Sequence, residues 1–377
     1  MPKVKNWQIG REMEYPYEGQ RPKRQWAIVF DLNKCIACQT CTLACKTTWT
    51  SGQGQEYMFW NNVETKPYGG YPLGWDVRIL EKLGRQDWEK NAPLEGKTVF
   101  EAAAPTERAL HFFPKDEDWM YPNNGEDDCA GRVEGGCHIK DLPHDRWFFY
   151  LPRTCAHCTY PACLAACPRK AIYKRAEDGI VLIDQSRCKG YGECVRACPY
   201  KKSMYNPATR VSEKCVGCYP AVEQGLQPMC VQNCIGKIRI MGFISPPWTA
   251  RADNPVDYLV HKKGIALPYY PQLGLEPNIY YIPPVHAPRE YLAQMFGPQA
   301  DDAVKRYLEL RQDPIAQGLL VLMGSTDCIL HSFKVADGLA SGYDEKGGEI
   351  VQVPVVEPLH ARAAYDEKLA TVRTNTP

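Results

Sequence analysis

Apolar residues in this chain come in short bursts, and long stretches between them show little period. Ala27–Leu32 (AIVFDL) is an unbroken apolar burst of strand length that runs into a cysteine-bearing loop. Ala171–Asp184 (AIYKRAEDGIVLID) holds two β-rich runs around Asp178-Gly179, which predicts a hairpin. Two helices are predicted further on. Pro288–Phe296 has proline at its start, and Ala300–Arg311 has Asp301 and Asp302 at its N-terminal end. Residues 51–146 are rich in glycine, proline and aromatic residues without clear periodicity, which predicts loops and short strands. The Pro/Tyr-rich stretch 266–284 predicts no regular structure, and residues 1–25 read as an arm lying on a neighbour. The longest apolar run near the C-terminus, Leu319–Met323, falls far below the ~20 residues of a membrane-crossing helix. The first residues, MPKVKNWQIGREMEYPYEGQRPKRQW, carry neither an apolar h-region nor a twin arginine and are not read as a signal peptide.

Length and charge add only bounds. The 377 residues suggest two or three domains, and a net charge of +1 gives no hint of nucleic acid as a partner. The cysteines change the picture. Fifteen of the eighteen fall into four tight groups: Cys35-Cys38-Cys41-Cys45, Cys155-Cys158-Cys163-Cys167, Cys188-Cys194-Cys198 and Cys215-Cys218-Cys230-Cys234. Such close spacing suits convergence on metal better than a disulfide framework.

The groups follow the bacterial ferredoxin run C-x2-C-x2-C-x3-C, usually followed by proline, in which the fourth cysteine serves the other cluster of a pair. A tight loop aims three thiolates at one cluster, and the fourth sits about one helical turn later. Applied here, the rule assigns Cys35, Cys38, Cys41 and Cys234 to a first 4Fe-4S cluster. Cys45, Cys215, Cys218 and Cys230 go to a second, and Cys155, Cys158, Cys163 and Cys198 to a third. The fourth site has only Cys167, Cys188 and Cys194, because Tyr191 stands where the spacing asks for cysteine. Three thiolates suit a 3Fe-4S cluster, with Tyr191 tuning it. Ligation by the phenolate is weighed against the bulk of its ring. The expected cofactors are thus three 4Fe-4S clusters and one 3Fe-4S cluster.

The expected fold class is α+β, two nested bacterial-type two-cluster ferredoxin modules with long irregular insertions. Residues 26–50 plus 205–245 form module A, and 147–204 form module B. Residues 1–25 are an N-terminal arm, 51–146 an insertion, and 246–377 a C-terminal extension, the last two read as subunit interfaces. Zinc sites need four ligands and do not account for three cysteines at x2 spacing repeated with Cys-Pro endings. No C-x2-C-H haem motif and no C-x3-C-x2-C run is found. Weaker candidates remain. Cys129 and Cys137 fit a disulfide, a metal site or two loop thiols; Cys328 reads as a buried free thiol; His157 reads as a hydrogen-bonding or packed neighbour of a cluster. Arg169, Lys170, Lys174, Arg175, Lys201 and Lys202 either offset cluster charge or form a solvated face.

Several segments resemble the iron–sulfur beta subunits of the dimethyl sulfoxide reductase family of molybdoenzymes. The branch is that of nitrate reductase, nitrite oxidoreductase, perchlorate reductase and ethylbenzene dehydrogenase. The resemblance rests on DLNKCIACQTCTLACKTTWT (31–50), YMFWNNVETKPYGGYP (57–72), CAHCTYPACLAACPRKAIYKRAEDGIVLIDQSRCKGYGECVRACPYKK (155–202) and EKCVGCYP (213–220). ALPYYPQLGLEPNIYYIPP (266–284), NWQIGREMEYPYEGQRPK and EYLAQMFGP (290–298) add to it, and these are similar to periplasmic nitrite oxidoreductases. The resemblance implies a non-catalytic electron-transfer subunit of a nitrate reductase or nitrite oxidoreductase type of complex. A perchlorate or selenate reductase, a hydrocarbon dehydrogenase or a freestanding polyferredoxin are the alternatives. It implies a molybdenum-cofactor alpha subunit at the first cluster and a haem b gamma subunit or soluble cytochrome at the fourth. It also implies no direct membrane span and a periplasmic location by co-export with the alpha subunit, or else the cytoplasmic face of the inner membrane. Some nitrite oxidoreductases replace the cysteine matching Cys45; this chain keeps it.

Overall fold

The computed structural model describes residues 1–19, 21–67, 69–88, 93–115, 147–355, 364–366, 368 and 371–373. Cys129 and Cys137 lie outside these residues. A four-stranded sheet, in the order Arg239–Ile244, Gln25–Asp31, Ile279–Ile282 and Leu267–Pro268, forms the spine. The strand Gln25–Asp31 (QWAIVFD) is buried at every position, as a run of β-branched and aromatic residues without alternation requires. It pairs antiparallel with Arg239–Ile244, Phe30 opposite Arg239, and parallel with Ile279–Ile282, Ile28 opposite Ile279. The strand entering the first cysteine group therefore lies beside the strand leaving the fourth.

The four cysteine loops repeat one backbone device. The residue two positions after each group's first cysteine is left-handed: Ala37 at φ 52°, His157 at 40°, Gly190 at 68° and Gly217 at 62°. A second device closes three groups. Lys170, Lys201 and Lys237, at φ 49°, 51° and 52°, each donate a backbone N–H to the carbonyl of Cys167, Cys198 or Cys234. Short helices carry the later cysteines: Thr40–Trp49, Ala162–Ala166, Glu193–Ala197 and Met229–Gln232. The first packs on the last, and the middle two pack on each other. At Gly190 a Cβ would lie 2.3 Å from the Arg210 carbonyl oxygen, so backbone would have to move. Gly190→Ala is expected to cost about 1–2 kcal/mol from left-handed strain alone, and more from the collision. The check is a lowered denaturant midpoint, with a fall in iron per protein if the expected cluster at Cys188 is lost with it.

The hairpin expected between the second and third groups is present, Ile172–Lys174 against Val181–Ile183. Asp178 Oδ1 accepts from the Ile180 N–H at 3.0 Å within its turn. A second hairpin, Ser203–Asn206 with Val211–Lys214, joins the third group to the fourth. Strand Asn62–Lys66, inside the stretch 51–146, pairs antiparallel with Phe149–Arg153 just beyond it.

Three expectations are corrected. The insertion holds a helix, Trp75–Leu83, which buries Trp75, Asp76, Ile79 and Leu83. Its helical spacing was hidden by the Gly/Pro-rich approach. The N-terminal arm is built into this chain's own core. Lys3–Asn6 pairs with Arg11–Glu14, and Val4, Asn6, Ile9, Met13 and Tyr15 are buried. The stretch 266–284 supplies two strands of the central sheet, with Tyr269, Tyr280 and Tyr281 fully buried. Tyrosine reads as half polar in a sequence, and only the neighbouring strand makes it core.

Of the C-terminal helices, Arg289–Phe296 and Ala300–Leu308 lie close to their expected bounds, and Leu310–Gln312 tightens to a 3₁₀ turn. Helix Pro314–Leu322 and the sheet of Ser332–Ala336, Leu339–Tyr343 and Glu349–Pro354 were not foreseen. Among the described residues no helix is long and apolar enough to cross a membrane.

Candidate iron–sulfur centres

The sixteen described cysteines are all free thiols, and fifteen of them make up the four sets expected from the spacing. At the first, Cys41 and Cys234 are buried, Cys35 is half-buried and Cys38 is exposed. Burial pushes the Cys35 thiol up to about 11, partly offset by the Ala37 N–H and by Arg239, with Cys41 and Cys234 adding to the rise. Cys38 is held below the usual thiol value by hydrogen bonds from the Thr40 side chain and backbone.

The second place is a narrow, apolar-walled pocket. Its wall contains Cys45, Cys215, Cys218 and Cys230, together with Trp26, Trp49 and Trp60. Trp49 Nε1 donates to Cys218 Sγ at 3.2 Å, and the Gly217 N–H to Cys215 Sγ at 3.3 Å. Burial, then the neighbouring Cys215 and Cys218, raises the Cys45 thiol, and burial raises Cys215 to about 12.

At the third place, Cys158 is buried and its thiol is raised by burial and then by Cys155, Cys198 and Cys163. His157 Nδ1 accepts the Val181 N–H at 3.0 Å, so the ring proton belongs on Nε2. Burial, with Lys214 and Lys174 nearby, keeps the ring neutral. Lys214 is buried and donates to the Val181 and Cys215 carbonyls. At the fourth place, burial raises Cys194 to about 12, with Cys167 and Cys188 adding to the rise. The Ala171 N–H reaches Cys167 Sγ at 3.3 Å and the Ser212 N–H reaches Cys188 Sγ at 3.4 Å. Tyr191 is 58 % exposed between Gly190 and Gly192.

The donor set fits iron–sulfur clusters. Buried thiols crowd one another, and iron binding expels their protons. Four buried N–H groups beside them have no partner: Trp26 Nε1, Trp60 Nε1, His157 Nε2 and Arg239 Nε. Such donors suit sulfide or thiolate acceptors, since an unpaired buried donor is costly. Among the described residues no three of His, Cys, Asp or Glu converge on a point that would hold a single metal ion.

The six basic residues noted beside the Cys-Pro motifs divide. Arg169 and Lys170 are exposed. Arg175 pairs with Glu223 at 2.7 Å and Asp178 at 3.3 Å. Lys201 and Lys202 are buried, and Lys174 donates to the Cys158 and Thr159 carbonyls. Burial lowers Lys174, Lys201 and Lys202 to about 7. Cys328, expected to be buried, is half-buried. Sequence reasoning passed over two buried arginines, Arg153 and Arg239. The available signal was a lone cation closing or opening an apolar run, FFYLPR and RIMGFI.

A sequence model of the 4Fe-4S dicluster domain matches residues 146–244. The selenate reductase subunit beta of Thauera selenatis is 41 % identical over 75 % of this chain and 89 % of its own. The perchlorate reductase subunit beta of Dechloromonas aromatica is 43 % identical over 71 % and 78 %. The respiratory nitrate reductase subunit beta of Haloferax mediterranei is 40 % identical over 78 % and 88 %. The chain belongs to the iron–sulfur beta subunits of the dimethyl sulfoxide reductase family of molybdoenzymes. It is an electron-transfer subunit.

Proposed function

We propose that the chain carries electrons through four clusters held by two nested ferredoxin modules, 26–50 plus 205–245 and 147–204. Cys35, Cys38, Cys41 and Cys234 hold the first 4Fe-4S cluster, and Cys45, Cys215, Cys218 and Cys230 the second. Cys155, Cys158, Cys163 and Cys198 hold the third. Cys167, Cys188 and Cys194 hold a 3Fe-4S cluster. The observation that carries this reading is the cavity walled by Cys45, Cys215, Cys218 and Cys230, cysteines drawn from the first and fourth groups. Spacing alone puts those cysteines in one set, and chain order keeps them far apart. When bound, the clusters supply one-electron carriers; the residues position them and exclude water.

The two ends favour different partners. Around exposed Cys38, the apolar side chains of Ile36 (66 % exposed), Leu43 and Ile235 (64 %) face outward, which suits a large permanent contact. A molybdenum-cofactor alpha subunit fits there. At the fourth site, exposed Tyr173 and Tyr191 suit a haem b gamma subunit or soluble cytochrome. Substrate chemistry belongs to the alpha subunit. We place the complex in the nitrate reductase and nitrite oxidoreductase group, with selenate and perchlorate reductases as the alternative that the relatives' names raise. Export with the alpha subunit to the periplasm is part of the proposal.

Native purification tests it. A large molybdenum-containing chain is expected to co-purify, with about fifteen iron atoms per beta subunit from three four-iron clusters and one three-iron cluster. Activity with nitrate, nitrite, selenate and perchlorate then names the complex. A beta subunit isolated alone at full iron loading counts against the complex, and four iron atoms or fewer against the wire.

A further inference from the structure

We infer that Arg239 is a fixed buried cation that sets the reduction potential of the first cluster and, more weakly, of the second. The inference rests on the ligand sets proposed above. Arg239 opens the strand Arg239–Ile244, opposite Phe30, and is 1 % exposed. Its Nη2 donates to Cys41 Sγ at 2.7 Å. Its Nη1 donates to the Cys230 carbonyl and to Asn61 Oδ1, both at 3.3 Å. The guanidinium carbon stands 4.7 Å from the Phe30 ring centroid. The thiols of Cys41, Cys230, Cys234 and Cys35 lie around it and would face it as thiolates once a cluster is bound. Among the described residues no carboxylate pairs with it.

A guanidinium stays charged, and burying it without a counter-ion is unfavourable by several kcal/mol. Here the counter-ions are thiolates of two ligand sets. Reduction adds negative charge to a cluster, so a cation in its sulfur shell stabilises the reduced form and raises the potential. The effect is graded by contact. Arg239 touches a thiol of the first set directly, but in the second set it touches only a backbone carbonyl. Around the fourth site the packing is apolar, with Cys167, Cys188 and Cys194 lying against Ala171, Ile172, Val181 and Val195. One side chain would thus bias one end of the wire and leave the other unmoved.

The test is an EPR-monitored redox titration of the cluster-loaded complex. In Arg239→Met the ratio of oxidised to reduced first cluster at fixed poise is expected to rise about tenfold, 59 mV for one electron. The second cluster should move less in the same direction, and the third and fourth should stay. Arg239→Lys should restore most of the change. An unmoved first cluster, or equal movement of all four, overturns the inference. Should Arg239→Met shed the first cluster, wild-type protein grown with ¹⁵N-arginine decides by pulsed EPR. A nitrogen coupling on the reduced first cluster that changes with the label supports the contact, and its absence overturns it. Iron and sulfide in the wild type check the ligand sets separately, because a shortfall there indicts the sets and not Arg239.

Discussion

Replacing Tyr191 with cysteine is expected to remove the three-iron EPR signal from the oxidised protein and to raise iron by one atom per chain. Tyr191 occupies the position that Cys38, Cys158 and Cys218 hold in the other groups. Its neighbour Gly190, at φ 68°, is left-handed like Ala37, His157 and Gly217 in the other three loops. The ring is 58 % exposed, so the side chain turns toward solvent and gives the site no fourth thiolate. A cysteine there would meet the loop geometry already in place and complete the site. An exposed substitution usually moves stability by less than about 0.5 kcal/mol, so the readout would not be confused by unfolding. The signal persisting unchanged in Tyr191→Cys would mean that the three-iron site lies elsewhere.

Much of this was legible because cysteine spacing is a local code. The left-handed residues Ala37, His157, Gly190 and Gly217 follow from the same spacing, and the Asp178-Gly179 turn from its dipeptide. What failed to show is non-local. Tyr280 and Tyr281 become core only because Ile279–Ile282 lies parallel to Gln25–Asp31, a pairing that no dipeptide announces. Ile9 and Met13 look like surface-arm residues until the chain folds back over them. Arg239 and Arg153 read as ordinary basic residues, since burial of a cation depends on anions brought from distant segments. One miss was avoidable. Asp337-Gly338, both with positive φ, joins Ser332–Ala336 to Leu339–Tyr343 through the tight turn that Asp-Gly favours.

Arg153→Met is expected to destabilise the protein by about 3–5 kcal/mol, the effect of stranding one partner of a buried ion pair. Arg153 and Glu64 are both fully buried and paired across the strands Asn62–Lys66 and Phe149–Arg153. The guanidinium also donates to the Tyr71 carbonyl at 2.6 Å and the Tyr200 carbonyl at 2.5 Å, and stands 4.2 Å from the Trp75 ring centroid. Glu64 in turn accepts from Trp75 Nε1 at 3.1 Å and Asn62 Nδ2 at 3.1 Å. Lys66 bridges to Asp76 at 2.7 Å, which also accepts from the Tyr270 hydroxyl at 2.8 Å. Burial alone would raise the Glu64 carboxyl, but Arg153 and Lys66 outweigh it and bring it down from 4.5 to about 2. That fall corresponds to about 3 kcal/mol. Because the folded value is the lower one, the contribution is complete above about pH 4.5 and is lost as pH falls toward 2. Denaturant melts of Glu64→Gln should therefore show a loss at pH 7 that shrinks in acid. The double variant Arg153→Met/Glu64→Gln should cost less than the two single changes added. Strict additivity, or a loss below about 1 kcal/mol for Arg153→Met, would count against the network. Its place gives the network a reach beyond stability. Arg153 stands two residues before Cys155 and holds the Tyr200 carbonyl two residues after Cys198. A slackened network should therefore first show itself as iron lost from the site proposed for those two cysteines.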